Sequence, residues 1–254
     1  MTGRRIGGYI FAIVFIIAGW WITAIALQTP ALPTPAAALA VFVDNFGDLM
    51  PYFGVSTYRV VVSLVIGTVI AVPVGLFFAR SRLLDPLFAP VLYMLYPIPK
   101  IVLFPILLVL LGLGDAPKIA LISITVFFQV LVSVRDAVRG IPPDAVLSVQ
   151  ALGGSRMDVY RHVVVPSTMP AVFTSLRIST GTAIAVLFIT ETFAGSSGVG
   201  YFIMQSWSLV NYSRMFAGII ALAVLGIILY AIFDIVERRI TRWRAEGQAT
   251  KRTE

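Results

Sequence analysis

Few side chains in this 254-residue sequence could do chemistry, and their spacing narrows the options quickly. Cysteine is absent, which removes disulfides, thiolate catalysis and thiolate metal sites. The single histidine, His162, cannot form a His-rich metal centre by itself. No Gly-x-x-x-x-Gly-Lys-Ser/Thr run occurs, so a phosphate loop of that kind is missing. What remains are ionisable and hydroxyl side chains inside apolar stretches: Lys100, Arg177 and Glu191, with Ser175, Ser179 and Thr182 three and four residues apart on one helical face. Ionisable groups at membrane depth are costly and are functional candidates by default. Lys100, Ser175, Ser179, Thr182 and Glu191 are therefore candidates for lining a polar pathway. Each has a plainer reading beside it. Hydroxyls can bond to their own backbone one turn back, Arg177 can snorkel to headgroups, and Glu191 can be a solvated carboxylate at the end of its stretch. A membrane-embedded enzyme would need clustered His or carboxylates, and only Glu191 and Asp234 come near the apolar stretches. Neither catalytic residues, nor a metal, nor a cofactor is expected.

The elements that must position these residues are set by composition. Apolar residues make up 59% of the chain and charged residues 12%, with a mean hydropathy of +0.94. A soluble domain carries about 25% charged residues. A helix of about 20 apolar residues crosses the hydrocarbon core, and six such stretches can be read: Ile6 to about Leu27, Ser56–Ala79, Leu84–Leu113, one from Gly114-Asp115-Ala116-Pro117 to Ser133, Ala171–Phe193 and Met215–Val236. Arg4-Arg5 before the first run and Ala24-Ile25-Ala26 near its end also suit a cleavable signal peptide. The run exceeds the usual h-region of about 7–15 residues, so an uncleaved first helix is expected. The third stretch holds Pro86, Pro90, Pro97, Pro99 and Pro105 and cannot be one regular helix, because each proline lacks a donor and clashes one turn back. Such a broken element is tolerated only where neighbours or a cavity re-satisfy the backbone. In the second stretch Ser63, Gly67, Ala71, Gly75 and Ala79 form a small-residue stripe for close helix packing, within the chain or against a second copy. A Gly/Ser-rich loop with Trp207, Asn211 and Tyr212 is expected before the sixth.

Charge orients this scheme. With the N-terminus inside, Arg4, Arg5, Arg80 and Arg82 are cytoplasmic, as are Arg135, Arg139, Arg156 and Arg161 of the middle loop. Arg238, Arg239, Arg242, Arg244, Lys251 and Arg252 of the tail complete 14 of the 19 Lys and Arg. Arg59, Lys118 and Arg214 fall at the outer face. The asymmetry follows the positive-inside rule and accounts for the net charge of +7 without nucleic acid. Both termini are expected in the cytoplasm.

The most informative segment is Pro142–Pro170, PPDAVLSVQALGGSRMDVYRHVVVPSTMP. Asp144 can cap a short helix that stops at Gly153-Gly154. Ser155 can cap a second through Tyr160 and His162, with Pro166 marking the return to the membrane. Asp158 can pair with Arg161 or His162 at helical spacing. Arg156 and Arg161 suit either a partner protein or lipid phosphates. Two short helices joined at a glycine make a knob suited to docking.

At these residues the chain resembles the permease family of bacterial ABC importers. That family's EAA loop has Glu-Ala-Ala, a glycine four residues later and a proline thirteen beyond it. Gly153 and Pro166 fit this spacing, and Ala151-Leu152-Gly153 with Ser155-Arg156 is similar to its central segment. The acidic triplet falls on Leu147-Ser148-Val149, a departure that puts a specific glutamate contact in doubt. Leu32-Pro33-Thr34-Pro35, Pro97-Ile98-Pro99-Lys100 with Pro105, Gly112-Leu113-Gly114-Asp115 and the run from Gly195 to Tyr201 are similar to the nitrate/sulfonate/taurine-type branch.

The resemblance implies an all-α membrane protein of the type I importer permease fold: six transmembrane helices with a cytoplasmic coupling-helix loop between the fourth and fifth. It divides the chain into an N-terminal helix and periplasmic amphipathic segment (1–55), a permease core (56–236, with the loop at 142–170) and a basic tail (237–254). It implies an inner-membrane pore formed with a second permease subunit, a homodimer by the family's default. Two ATPase subunits receive the loop, and a periplasmic or lipid-anchored binding protein delivers a small anion such as nitrate, a sulfonate, taurine or bicarbonate. Membrane lipids are the remaining partner. ATP closes the ATPase dimer, and the pore alternates between inward- and outward-facing states. Ala151, Leu152, Gly153, Ser155, Arg156, Tyr160 and Pro166 are the implied coupling residues. The alternative from the residues alone is a stand-alone secondary transporter; many of these carry internal repeats, and none is found here.

Overall fold

A computed structural model describes residues 2–81 and 83–241; Arg82 and the tail cations Arg242, Arg244, Lys251 and Arg252 lie outside the described residues. Among the described residues the elements are all helical. They are α1 (Thr2–Leu27), α2 (Pro35–Asp44), α3 (Phe46–Arg80), α4 (Leu84–Leu95), a 3-10 turn (Lys100–Leu103), α5 (Phe104–Leu111), α6 (Ala116–Arg139), α7 (Pro143–Ala151), α8 (Arg156–Val159), a π-turn (Tyr160–Val164), α9 (Val165–Ala194), α10 (Val199–Ser208) and α11 (Tyr212–Ile240). Five helices are long and apolar enough to cross a membrane, and the pair Leu84–Leu95 with Lys100–Leu111, bent by 85°, brings the number to six when its two halves are counted as one broken span. The six-span, all-α expectation therefore holds.

Several boundaries differ from the sequence reading, each for a local reason. The stretch before Ser56 is a capped helix followed by a continuous one. Thr34 accepts from the Ala37 N–H at 3.3 Å with Pro35 at the first helical position, and α3 then starts at Phe46 and runs 35 residues. The fourth span does not end at Ser133 but continues to Arg139, so Arg135 belongs to a helix rather than to a loop. The presumed loop before the sixth span is mostly α10.

The chain divides into two compact units, residues 1–56 with 191–224 and residues 57–190 with 225–254. In the first, Trp20 donates its indole N–H to the Pro33 carbonyl at 3.0 Å and stacks on Phe216 at 5.4 Å. Tyr52 packs against Phe202 at 5.5 Å. From Ile10 to Leu27 most of the apolar side chains of α1 are exposed, Phe11 and Phe15 each by 70%, as on a lipid-facing helix.

The second unit is built around α6, whose Leu121, Ile122, Val126, Val130 and Val134 are fully buried. The small-residue stripe of α3 lies against it. A Cβ at Gly67 would sit 2.8 Å from the Ser123 carbonyl oxygen, and one at Gly75 2.8 Å from Val134 Cγ1. Ser63 Oγ donates across to the Ile119 carbonyl at 3.2 Å. The stripe thus serves packing inside the chain.

Candidate functional site

The loop between α6 and α9 turns on one glycine-dependent helix stop. Helix α7 starts with Pro142 at its N-cap and Pro143 at its first position. Asp144 is therefore not the cap; it lies in the first turn, where a carboxylate complements the helix dipole. At the other end Gly153 takes φ +80°, its N–H donates to the Gln150 carbonyl at 2.9 Å, and the Gly154 N–H reaches back to Val149 at 3.0 Å. This pair of bonds closes a helix through a left-handed residue, a position glycine favours. Gly154 is needed for a different reason: a Cβ there would lie 2.6 Å from Val149 Cγ1.

Past the glycines, Ser155 caps the next helix. Its hydroxyl accepts from the Asp158 N–H at 3.2 Å and donates to Asp158 Oδ2 at 2.6 Å, while its own N–H donates to the same oxygen at 2.8 Å. These bonds, more than the nearby Arg161 and His162, hold the Asp158 carboxyl below the usual carboxylate range. The expectation that this helix ends before a return at Pro166 is corrected. Residues 156–194 run as one helix of 39 residues. The π-turn makes this possible: the Val165 N–H bonds five residues back to Tyr160. The widened ring displaces the carbonyl that the Pro166 ring would strike. A run of 39 residues is about 58 Å long, so its first turns project well beyond a hydrocarbon core of about 30 Å.

The implied coupling residues now have places. Ala151 and Leu152 end α7 on the surface, and Leu152 is 89% exposed, as Leu147 (58%) and Met157 (73%) are nearby. Arg156 and Arg161 are exposed. Tyr160 is half-buried, with the Arg80 guanidinium 5.4 Å over its ring, which ties the loop to the end of α3.

Behind the loop lies an open cleft of about 700 Å³, bounded by Ser133, Ala137, the Gly140–Pro142 turn and, from α9, Ser167, Pro170, Thr174, Ser175 and Ile178. No lining side chain is charged. Of the pathway candidates, Ser175 lines this cleft. Ser179 lies one turn further along the same face and is fully buried. Thr182 accepts from Gln129 Nε2 at 3.1 Å.

Lys100 and Glu191 are placed differently. Lys100 Nζ donates to the carbonyls of Leu95, Tyr96 and Ile98 at 2.7, 3.0 and 2.8 Å and lies 4.5 Å over the Phe128 ring. Its three protons close the break that Pro97 and Pro99 open. Glu191, in the first unit, is not a solvated carboxylate: it is fully buried. It accepts from the Ser56 hydroxyl at 2.9 Å and from the Gly200 N–H at 2.8 Å. The Val199 N–H donates to Ser56 Oγ at 2.8 Å. The carboxylate and serine together satisfy two of the free donors at the start of α10. Gly198 (φ +97°) makes room, since a Cβ there would land on the carboxylate.

Three arrangements had no sequence signal beyond their charges. Arg59 and Lys118 are each 2% exposed. Arg59 Nε donates to Asp115 Oδ1 at 2.8 Å, and Lys118 Nζ to the Gly114 carbonyl at 3.0 Å. Arg135 grips Asp85 with both arms, at 2.7 and 3.0 Å, and reaches the Tyr93 hydroxyl at 2.8 Å. Arg177 pairs with Asp234 and lies 2.9 Å from Glu237, so it does not snorkel freely.

Residues 71–242 match the family described as binding-protein-dependent transport system inner membrane component. Among curated proteins, the chain is similar to the putative aliphatic sulfonates transport permease protein SsuC of Bacillus subtilis (strain 168), with 27% identity over 96% of this chain and 88% of that one. It is 25% identical to the taurine transport system permease protein TauC of Escherichia coli (strain K12), over 96% and 92% of the two chains. The nitrate import permease protein NrtB of Leptolyngbya laminosa is 25% identical over 73% of this chain and 66% of that protein. Among solved structures, a chain of the MetNI methionine ABC transporter in an inward-facing conformation superposes with a TM-score of 0.66 at 20% identity, covering 76% of this chain and 96% of that one.

Proposed function

The chain belongs to the family of binding-protein-dependent transport system inner membrane components, and on that premise we propose that its α7–α8 loop couples a translocation pathway in the membrane to a separate ATPase subunit. One observation carries this reading: Leu147, Leu152 and Met157 stand 58–89% exposed on a short, rigidly closed helical knob. Large apolar side chains on such a knob fit a groove on a partner, the helix-in-groove mode of recognition. The exposed Arg156 and Arg161 flank them.

Two ATPase subunits, a second copy of the chain and an external binding protein complete the transporter. Both termini and the loop lie on the cytoplasmic side, in keeping with the arginines at 80, 139, 156 and 161. ATP hydrolysis belongs to the partner. The solute is a small oxyanion of the sulfonate, taurine or nitrate kind, as the names of the relatives suggest. Ala151, Leu152, Gly153, Ser155, Arg156, Tyr160 and Pro166 make the coupling loop, and the uncharged cleft behind it is the inner mouth of the pathway. Lys100 closes the break in its own span and Glu191 caps α10, and neither meets the solute.

The test is a pull-down from detergent-solubilised native membranes, followed by ATPase assay and mass spectrometry of the bound proteins. An ATPase subunit in one-to-one ratio, lost on Leu152→Asp at unchanged membrane levels, is the expected result. Recovery of the chain alone, with ATP-independent uptake, overturns the reading in favour of a stand-alone transporter.

A further inference from the structure

Resting on the reading of the cleft as the inner mouth, we propose that Gln129, Ser179 and Thr182 form a wetted oxyanion-coordinating tier one to two turns beyond it, with Gln129 as a specificity-determining residue. The tier continues the cleft on both walls. On α6, Ser133 lines the cleft and Gln129 lies one turn further in, near the middle of the helix. On α9, Ser175 lines the cleft, followed by Ser179 and Thr182 on the same stripe. The Gln129 Nε2 to Thr182 bond of 3.1 Å joins the two walls.

Helix-to-helix adhesion through hydrogen bonds accounts for that one bond. It does not account for its neighbours. Ser179 is fully buried, yet its Oγ has no hydrogen-bond partner among the described residues, and neither has Gln129 Oε1. Several serines and threonines of these helices bond to their own backbone one turn back, as Thr125, Ser133 and Thr180 do. Ser179 departs from that habit. A buried polar atom left unpaired in protein costs free energy, so the Ser179 hydroxyl and the Gln129 amide oxygen on one polar path mark a place that water or solute fills.

The donor set names the solute class. The Ser179 hydroxyl, the Thr182 hydroxyl and the second proton of the Gln129 amide are neutral donors. No cation faces them from the cleft lining, and Arg177 is engaged with Asp234 and Glu237. Neutral donors hold an oxyanion without a Coulombic trap, which suits passage better than storage. A cationic solute would need carboxylates, and the lining has none.

This sequence holds no cysteine, so a single introduced thiol can be followed on this chain within the transporter. The probe is 2-sulfonatoethyl methanethiosulfonate, itself a small sulfonate, applied to Ser175→Cys, Ser179→Cys and, as a packing reference, Leu187→Cys, which replaces a fully buried side chain. A wetted tier makes Ser179→Cys react on the order of tenfold or more faster than Leu187→Cys, because a thiol in apolar surroundings is kept protonated. Millimolar methanesulfonate slows the labelling and tetramethylammonium does not. Adding Gln129→Leu removes the methanesulfonate protection. If Ser175→Cys labels but Ser179→Cys matches Leu187→Cys, the tier is dry packing and this inference fails while the cleft reading stands. Equal protection by the cation overturns the oxyanion assignment. If Ser175→Cys is itself inert in every nucleotide state, the cleft reading falls and the tier with it.

Discussion

At Gly153 the backbone, not the space, sets the requirement. Its φ is +80°, and a Cβ would meet nothing within 4 Å. The left-handed conformation costs an ordinary residue about 1–2 kcal/mol, whereas asparagine visits it more readily. Gly153→Asn should therefore keep more ATP-driven uptake than Gly153→Val at equal membrane levels, even though both add bulk. The neighbouring Ser155–Asp158 cap adds a pH dependence. A carboxyl whose folded pKa is depressed contributes fully above the pKa of an unfolded aspartate and loses its contribution as pH falls through the folded value. The Asp158 side chain, followed by NMR in micelles, should titrate below an aspartate of the unfolded chain, and Ser155→Ala should bring it back up. For the buried Glu191, Ser56→Ala removes the hydroxyl that serves both the carboxylate and the Val199 N–H. A loss of about 1–3 kcal/mol, read as a lower thermal midpoint in detergent, is the expected outcome.

At the scale of elements, the prolines of residues 86–105 announce a broken span, and the structure bends there by 85°. Lys100 then does what no single-residue pattern reveals, supplying three donors to carbonyls that the break leaves open. Lys100→Met should lower the thermal midpoint of the purified protein, with Lys100→Arg recovering part of the loss through its own donors. The glycine stop at 153 and the small-residue stripe of α3 were equally legible, because both are local consequences of backbone freedom and side-chain size. The single helix through Pro166 was not. A proline reads as a stop unless the surrounding helix accommodates it, as α9 also does at Pro170, and nothing in Tyr160–Val164 signals the π-turn before Pro166.

Across the whole molecule, what escaped the sequence was the pairing of charges far apart in the chain. Arg59 meets Asp115, Arg135 meets Asp85 and Arg177 meets Asp234, 50 to 57 positions apart. The positive-inside count sorts cations by side of the membrane and says nothing of burial, and Arg59 and Lys118 are both buried. Periodicity locates a residue on a helix but says nothing of which helix it faces. The Arg177–Asp234 contact joins α9 to α11 at 2.9 Å. Removing one partner of a desolvated pair strands the other, at a cost of about 3–5 kcal/mol when fully buried, and less here where each side chain is about a fifth exposed. Arg177→Asp and Asp234→Arg should each lower the thermal midpoint, and the double swap should regain most of it.

The broken span also bears on how the chain is made. Helix α4 has 12 residues and α5 has 8, roughly 18 and 12 Å of rise, against a hydrocarbon core of about 30 Å. Neither half can serve the insertion machinery as a membrane segment by itself. Counted as one broken span, residues 84–111 enter the bilayer together, with a lysine near their midpoint. That lysine ceases to be a liability only once the chain has folded back on itself and its ammonium meets the three carbonyls. The order of synthesis favours this, since all three partners emerge before Lys100 does.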